Sequence, residues 1–296
     1  MTKSTSHICF LLIVAILVSL ITPFLQQYEL ELPIVLVSIL FTGVPHGSFD
    51  HHVAQYTNKK QSLIFFFVKY LFLSGLVLLL WVLLPVVAFL FFLLITAWHF
   101  GETDTEVLDI KPNHFIVKFT LGACILFWLL TQNPIELTHW IDLVVKSNSH
   151  FFSGVSSIGS IHNALVFSVI FVILVSSVKK SNALERVSFL IFLFALSKTS
   201  LLLGFSIYFC GWHSIITLKT IKTSVFSKMK WKKVIRYSFP IMLATAAIFF
   251  AIIFLRENAW LKEHALTSVF VLLSILTLPH LLEMHSLYNI LRIKSK

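Results

Sequence analysis

Apolar runs separated by short polar and basic stretches fill this chain from residue 8 to residue 291. About 20 apolar residues cross the hydrocarbon layer of a bilayer. On that measure the pattern predicts helices at 8–25, 31–56, 63–83, 85–104, 113–131, 161–179, 183–197, 199–222, 236–255 and 264–291. The run 184–218 is too long for one crossing and short for two. Ser197-Lys198-Thr199 interrupts it with charge and turn formers, so the chain is expected to break there. The longest loop, 131–160, is expected to cap the outer face, with a short amphipathic segment near Trp140 and a Ser/Gly-rich end at 153–159.

Composition sharpens this pattern into a class. With 57% apolar and 12% charged residues, the chain cannot hide its apolar surface in one soluble core. It reads as an all-α, polytopic integral membrane protein with about ten transmembrane helices. Residues 1–296 form a single membrane domain without internal repeats. The first run lacks a small-x-small cleavage site and is expected to remain as a span. Cys9, Cys124 and Cys210 lie inside apolar runs without pair or CxxCH spacing, which indicates neither a disulfide framework nor covalent haem.

The net charge of +10 does not point to nucleic acid, because Lys and Arg gather between apolar runs as topology signals. With ten spans and both termini cytoplasmic, the outer side keeps four of the 23 basic residues: Lys146, Lys198, Arg256 and Lys262. Lys118 and Arg186 count among the inner ones. Fusing the seventh and eighth helices would put the basic cluster 219–236 outside, against the positive-inside bias. The expected location is the cell inner membrane, multi-pass, in contact with the lipid bilayer.

Within the second run stands Gly43-Val44-Pro45-His46-Gly47-Ser48-Phe49-Asp50-His51-His52, a polar stretch that lipid would not tolerate without a task. Depth sorts the 13 histidines. His7, His114, His139, His150, His162 and His264 fall near the faces and read as interfacial. His46, His99, His213 and His280 fall in the inner halves of helices two, four, eight and ten, about 10–15 Å from the inner boundary at 1.5 Å per residue. His51, His52 and His285 point away from that quartet at 100° per residue. Pro45 and Pro279 precede two of the quartet and are expected to bend their helices. Asp50 and Glu102 share a helix face with His46 and His99, where a carboxylate could orient a metal-bound imidazole. The pattern therefore gives an intramembrane histidine metal site. Four neutral imidazoles suit non-haem iron, copper, zinc or haem, and charge does not choose among them.

At these residues the sequence resembles the membrane-integral β-carotene 15,15′-dioxygenase family (Brp/Blh-type). The resemblance is carried by the stretch around His46, by Trp98-His99-Phe100-Gly101-Glu102-Thr103-Asp104, by Tyr208-Phe209-Cys210-Gly211-Trp212-His213-Ser214, and by Thr277-Leu278-Pro279-His280-Leu281. It implies a histidine-held non-haem Fe(2+) centre that uses O2 to split β-carotene centrally into two molecules of all-trans-retinal. It also implies a functional link to a microbial rhodopsin. Many members carry a further histidine four residues after the third motif's histidine, where this chain has Thr217. Either His280 completes the quartet here, or the iron has three protein ligands and an extra open position. Asp50, Glu102 and Thr217 are then the neighbours expected around the ligands.

Two other classes would use the same histidines. A membrane haem-binding electron carrier would pair them across helices, and a transporter would line a polar pathway with them. Transporters commonly show repeated halves, which this sequence lacks. A retinal-binding opsin needs a lysine deep in a late helix, and Lys198 lies at a predicted turn. Most of the 30 phenylalanines are read as lipid-facing bulk and helix packing, with a few left to line a tunnel for a flat polyene.

Overall fold

The computed structural model describes residues 3–111, 114–145, 160–176, 178–179, 182–254 and 259–294. Among these residues there is no strand. The helices are α1 (Lys3–Gln27), α2 (Glu31–Ser38), α3 (Val44–Gly47), α4 (Asp50–Thr57), α5 (Leu63–Leu83), α6 (Pro85–Val107), α7 (Phe115–Thr131), α8 (Pro134–Val145), α9 (Ser160–Val175), α10 (Ala183–Leu196), α11 (Leu201–Ser206), α12 (Ile215–Ser224), α13 (Trp231–Phe254) and α14 (Ala259–Lys294). Two π-helical segments, Ile39–Gly43 and Ile207–Ser214, join α2 to α3 and α11 to α12.

Among the described residues, six helical stretches are long and apolar enough to cross a membrane: Ser6–Gln27, Glu31–Thr57, Leu63–Leu83, Pro85–Val107, Leu201–Ser224 and Phe270–Ile293. Their surfaces agree with lipid contact. α5 alone exposes Ile64, Phe65, Phe67, Val68, Leu71, Phe72, Leu76 and Leu79, a density of apolar surface that water would penalise. The expected interruption lies where α10 ends at Leu196 and α11 begins at Leu201. Ser200 caps the new helix, its hydroxyl accepting from Leu203 N–H at 3.4 Å. α8 occupies the place of the short segment near Trp140, while His150 and the stretch 153–159 lie outside the described residues.

The second predicted helix, 31–56, is not continuous. Pro45 has no N–H to give and its ring crowds the preceding turn, and the backbone there is π-helical up to Gly43. Beyond Gly47 the helix stops. Ser48 turns its hydroxyl onto the Pro45 carbonyl at 2.7 Å, and Phe49 sits at φ −96°, ψ 4° before α4 begins.

The chain divides into two compact units. The first holds Met1–Ser38, Thr96–Asp142 and Ser147–His213, and the second Ile39–Ile95, Leu143–Lys146 and Ser214–Lys296. In the first, α1 packs on α10, α7 on α9, and α11 on α2 and α7. The C-terminal half of α6 and α7 approach so closely that a Cβ on Gly101 would collide with the Lys118 carbonyl, and one on Gly122 with the Ala97 carbonyl. Arg186 is buried and donates to the carbonyls of Leu108 (3.0 Å), Leu174 (2.7 Å) and Asp109. It thereby satisfies carbonyls that the ends of α6 and α9 leave open. Lys118 is buried too and pairs with Glu102 at 3.1 Å. Arg186 and Lys118, counted by sequence among the topology charges, thus have structural partners inside the protein.

In the second unit α14 packs along α5 and α4, and α3 lies against α13 and α12. Phe49, Val53, Ile221, Phe226, Val234, Met284, Leu287 and Tyr288 form its buried apolar cluster. This cluster fixes the break at Phe49, because that side chain is 1% exposed and contacts the Phe226 ring at 5.3 Å.

Candidate metal centre

Each unit contains one pair of buried histidines. In the first, His99 from α6 and His213 from the second π segment bring their Nε2 atoms to 3.0 Å, with rings 4.6 Å apart and crossed at 74°. His99 is 3% exposed and His213 not at all. Phe100 covers His213 at 4.7 Å, and Phe209 lies parallel to it at 6.1 Å. Two neutral imidazoles facing through Nε2 either share one proton or offer both lone pairs to a cation.

The backbone around His213 is held by side chains that sequence reading did not single out. Asp104 is wholly buried and accepts from Tyr208 O–H at 2.6 Å and Trp212 Nε1–H at 2.8 Å. His7 donates through Nε2 to the Gly211 carbonyl at 3.0 Å and lies parallel to Trp212 at 6.2 Å. It is half-buried against the motif rather than simply interfacial. These bonds support a π-helical turn, whose altered register exposes carbonyls to other partners.

In the second unit, His46 of α3 and His280 of α14 lie 4.8 Å apart, ring edge to ring face at 85°. Asp50 Oδ1 accepts a hydrogen bond from His280 Nδ1–H at 2.7 Å, and Oδ2 accepts one from the Tyr70 hydroxyl at 3.0 Å. Asp50 therefore contacts the α14 histidine across space, where helical spacing had set it on the face of His46. The break at Ser48 and Phe49 changes its direction.

Glu102, expected beside His99, receives Lys118 Nζ. Thr217 lies one turn beyond His213 in sequence and is fully buried. Its hydroxyl and that of Ser214, also fully buried, have no hydrogen-bond partner among the described residues. His52 packs on Phe226 at 5.1 Å and Tyr237 at 5.6 Å, and His51 lies against Phe66 and Phe67. Asn289 Nδ2 donates to His285 Nε2 at 2.9 Å. His114, His139 and His162 are exposed. The side chain of His264 lies outside the described set.

The sequence model of the beta-carotene 15,15′-dioxygenase family matches residues 37–288, a span containing all four paired histidines. The chain belongs to the beta-carotene 15,15′-dioxygenase family. It is an oxygenase enzyme. A relative from an uncultured marine bacterium, 66A03, named beta-carotene 15,15′-dioxygenase, is 26% identical over 257 residues, which cover 83% of this chain and 90% of the relative. No solved structure matches. Family membership lends no support to the haem-carrier or transporter readings.

Within this dioxygenase, Asp104 and Tyr70 had a legible signal. An aspartate near the end of an apolar span, or a tyrosine beside Lys69 in an otherwise apolar helix, is costly in lipid and so points to an internal partner.

Proposed function

We propose that this family member uses O2 to cleave β-carotene at its central 15,15′ double bond, releasing two molecules of all-trans-retinal, with His46, His99, His213 and His280 together holding one non-haem Fe(II). The observation that carries this reading is the burial of two imidazole pairs, one per unit, inside the segment matching the family. Neutral imidazoles suit iron and keep the site's charge low in dry surroundings. The two buried, unpartnered hydroxyls of Ser214 and Thr217 lend further support, since buried polar groups are normally satisfied and a bound group beside His213 would satisfy them.

Bound iron supplies the redox chemistry that activates O2. The chain's own residues bind, orient and exclude water. A hydrogen bond from His280 Nδ1–H to Asp50 leaves Nε2 as the lone-pair nitrogen and fixes the ring's direction. Thr217 carries no ring nitrogen, so His280 completes the set. Glu102, paired with Lys118, steadies α6 against α7 around Gly101. Apolar rings such as Phe100 keep bulk water from the histidines. Cleavage breaks one C=C bond and forms two C=O bonds, one oxygen atom of O2 going to each aldehyde, so no external reductant is consumed.

β-Carotene partitions into lipid and reaches a site at bilayer depth without a soluble carrier. We assign the chain, 1–296, to a single membrane domain of ten crossings in the cell inner membrane, both termini cytoplasmic. The basic cluster 219–236 supports that orientation. The retinal produced fits the chromophore need of a microbial rhodopsin.

The test is expression in a β-carotene-accumulating bacterial host, followed by chromatography of extracted retinoids. Bleaching with retinal as product is expected. A host that keeps its colour around a folded, iron-loaded protein overturns the substrate assignment, and a haem spectrum overturns the non-haem centre.

A further inference from the structure

We propose that Tyr70 is a positioning residue for His280, acting through Asp50; this rests on the reading of His280 as an iron ligand. Three helices of the second unit meet here, with α4 and α5 both packed on α14 and on each other. Asp50 from α4 is 2% exposed. One of its oxygens holds His280 Nδ1 at 2.7 Å and the other takes the Tyr70 hydroxyl at 3.0 Å. A carboxylate this buried needs donors on both oxygens. Held at one oxygen alone, it can rotate about its Cβ–Cγ bond, and the imidazole can turn with it. The Tyr70 hydroxyl arrives from a separate helix and blocks that rotation. A metal-binding histidine gains its fixed tautomer and orientation from this kind of outer partner.

The α5–α14 contact does not depend on Tyr70. Lys69 Nζ pairs with Glu283 at 2.9 Å, and Trp81 Nε1 donates to Ser274 Oγ at 2.9 Å. These links flank the tyrosine and run in opposite directions along the two helices, so they set the register by themselves. Removing one hydroxyl therefore leaves the helices in place and loosens only the carboxylate.

The experiment uses the full-length protein in detergent, loaded anaerobically with Fe(II). Iron release to a competing chelator is followed together with kcat and KM for β-carotene. Tyr70→Phe is expected to release iron about tenfold faster, the low end of the effect of outer partners, and to lower kcat with KM unchanged. Adding Tyr70→Phe to Asp50→Asn should change nothing more, because the hydroxyl acts only through the carboxylate. The double substitution Lys69→Met/Glu283→Gln removes the neighbouring ion pair and should leave iron release unaltered. If Tyr70→Phe releases iron at the native rate while His280→Ala loses it, the role of Tyr70 is overturned and the ligand reading stands. If His280→Ala itself retains iron, both are overturned. Equal acceleration by Tyr70→Phe and by the Lys69/Glu283 pair would reduce Tyr70 to a helix contact.

Discussion

The two histidine pairs are held in place by different means. In the second unit a carboxylate grips an imidazole directly, Asp50 on His280. In the first unit the corresponding carboxylate, Asp104, binds Tyr208 and Trp212 and fixes the backbone that carries His213. Direct contact sets a ring's tautomer and rotation. Backbone support sets where the ring starts from, and leaves its proton to the partner imidazole. Damage to the two aspartates should therefore be read on different scales, metal affinity for Asp50 and folding for Asp104.

The largest effect expected is from the rings themselves. His99→Ala in the first unit and His280→Ala in the second should each abolish iron retention and retinal formation in protein that still inserts, measured by metal analysis and product chromatography at equal expression. Next comes Lys118→Met, which strands the Glu102 carboxylate, fully buried, at a cost of about 3–5 kcal/mol. Thermal unfolding should register the loss, and Lys118→Met/Glu102→Gln should restore most of it. Asp104→Ala leaves two buried donors unmet. It should cost roughly 2–3 kcal/mol and lower the melting temperature more than it lowers iron affinity per folded molecule. Asp50→Asn should do the opposite, weakening iron about 10- to 100-fold with a small change in melting temperature. The smallest effect is His162→Ala, an exposed ring whose loss should leave iron and turnover unaltered. Comparable losses at Asp104 and Asp50 on both scales would erase the contrast between the units.

Sequence patterning recovered the helical segments because lipid enforces long apolar runs, and the interruption at Ser197-Lys198-Thr199 survived as the gap between α10 and α11. Patterning and motif singled out four histidines that the structure buries in two pairs. Asp50 was legible as a neighbour, but its contact with His280 instead of His46 was not, for a physical reason. Extrapolation at 100° per residue assumes an unbroken α-helix, whereas Pro45, Ser48 and Phe49 end one helix and start another before Asp50. The π-helical turn at Ile207–Ser214 likewise alters the register around His213. Lys118 and Arg186 resembled topology signals because charge counting cannot see a buried carboxylate or helix-end carbonyls from another segment. Tyr70 depends on a contact between α5 and α4 that no spacing along the chain encodes.

The most direct measurement is the iron stoichiometry of anaerobically loaded protein, native and with a single histidine removed from either unit. One iron per chain, lost equally on His46→Ala, His99→Ala, His213→Ala or His280→Ala, is the predicted result. Two irons per chain, or removal of a histidine from one unit that leaves the other pair's metal bound, would contradict a single centre built from both pairs.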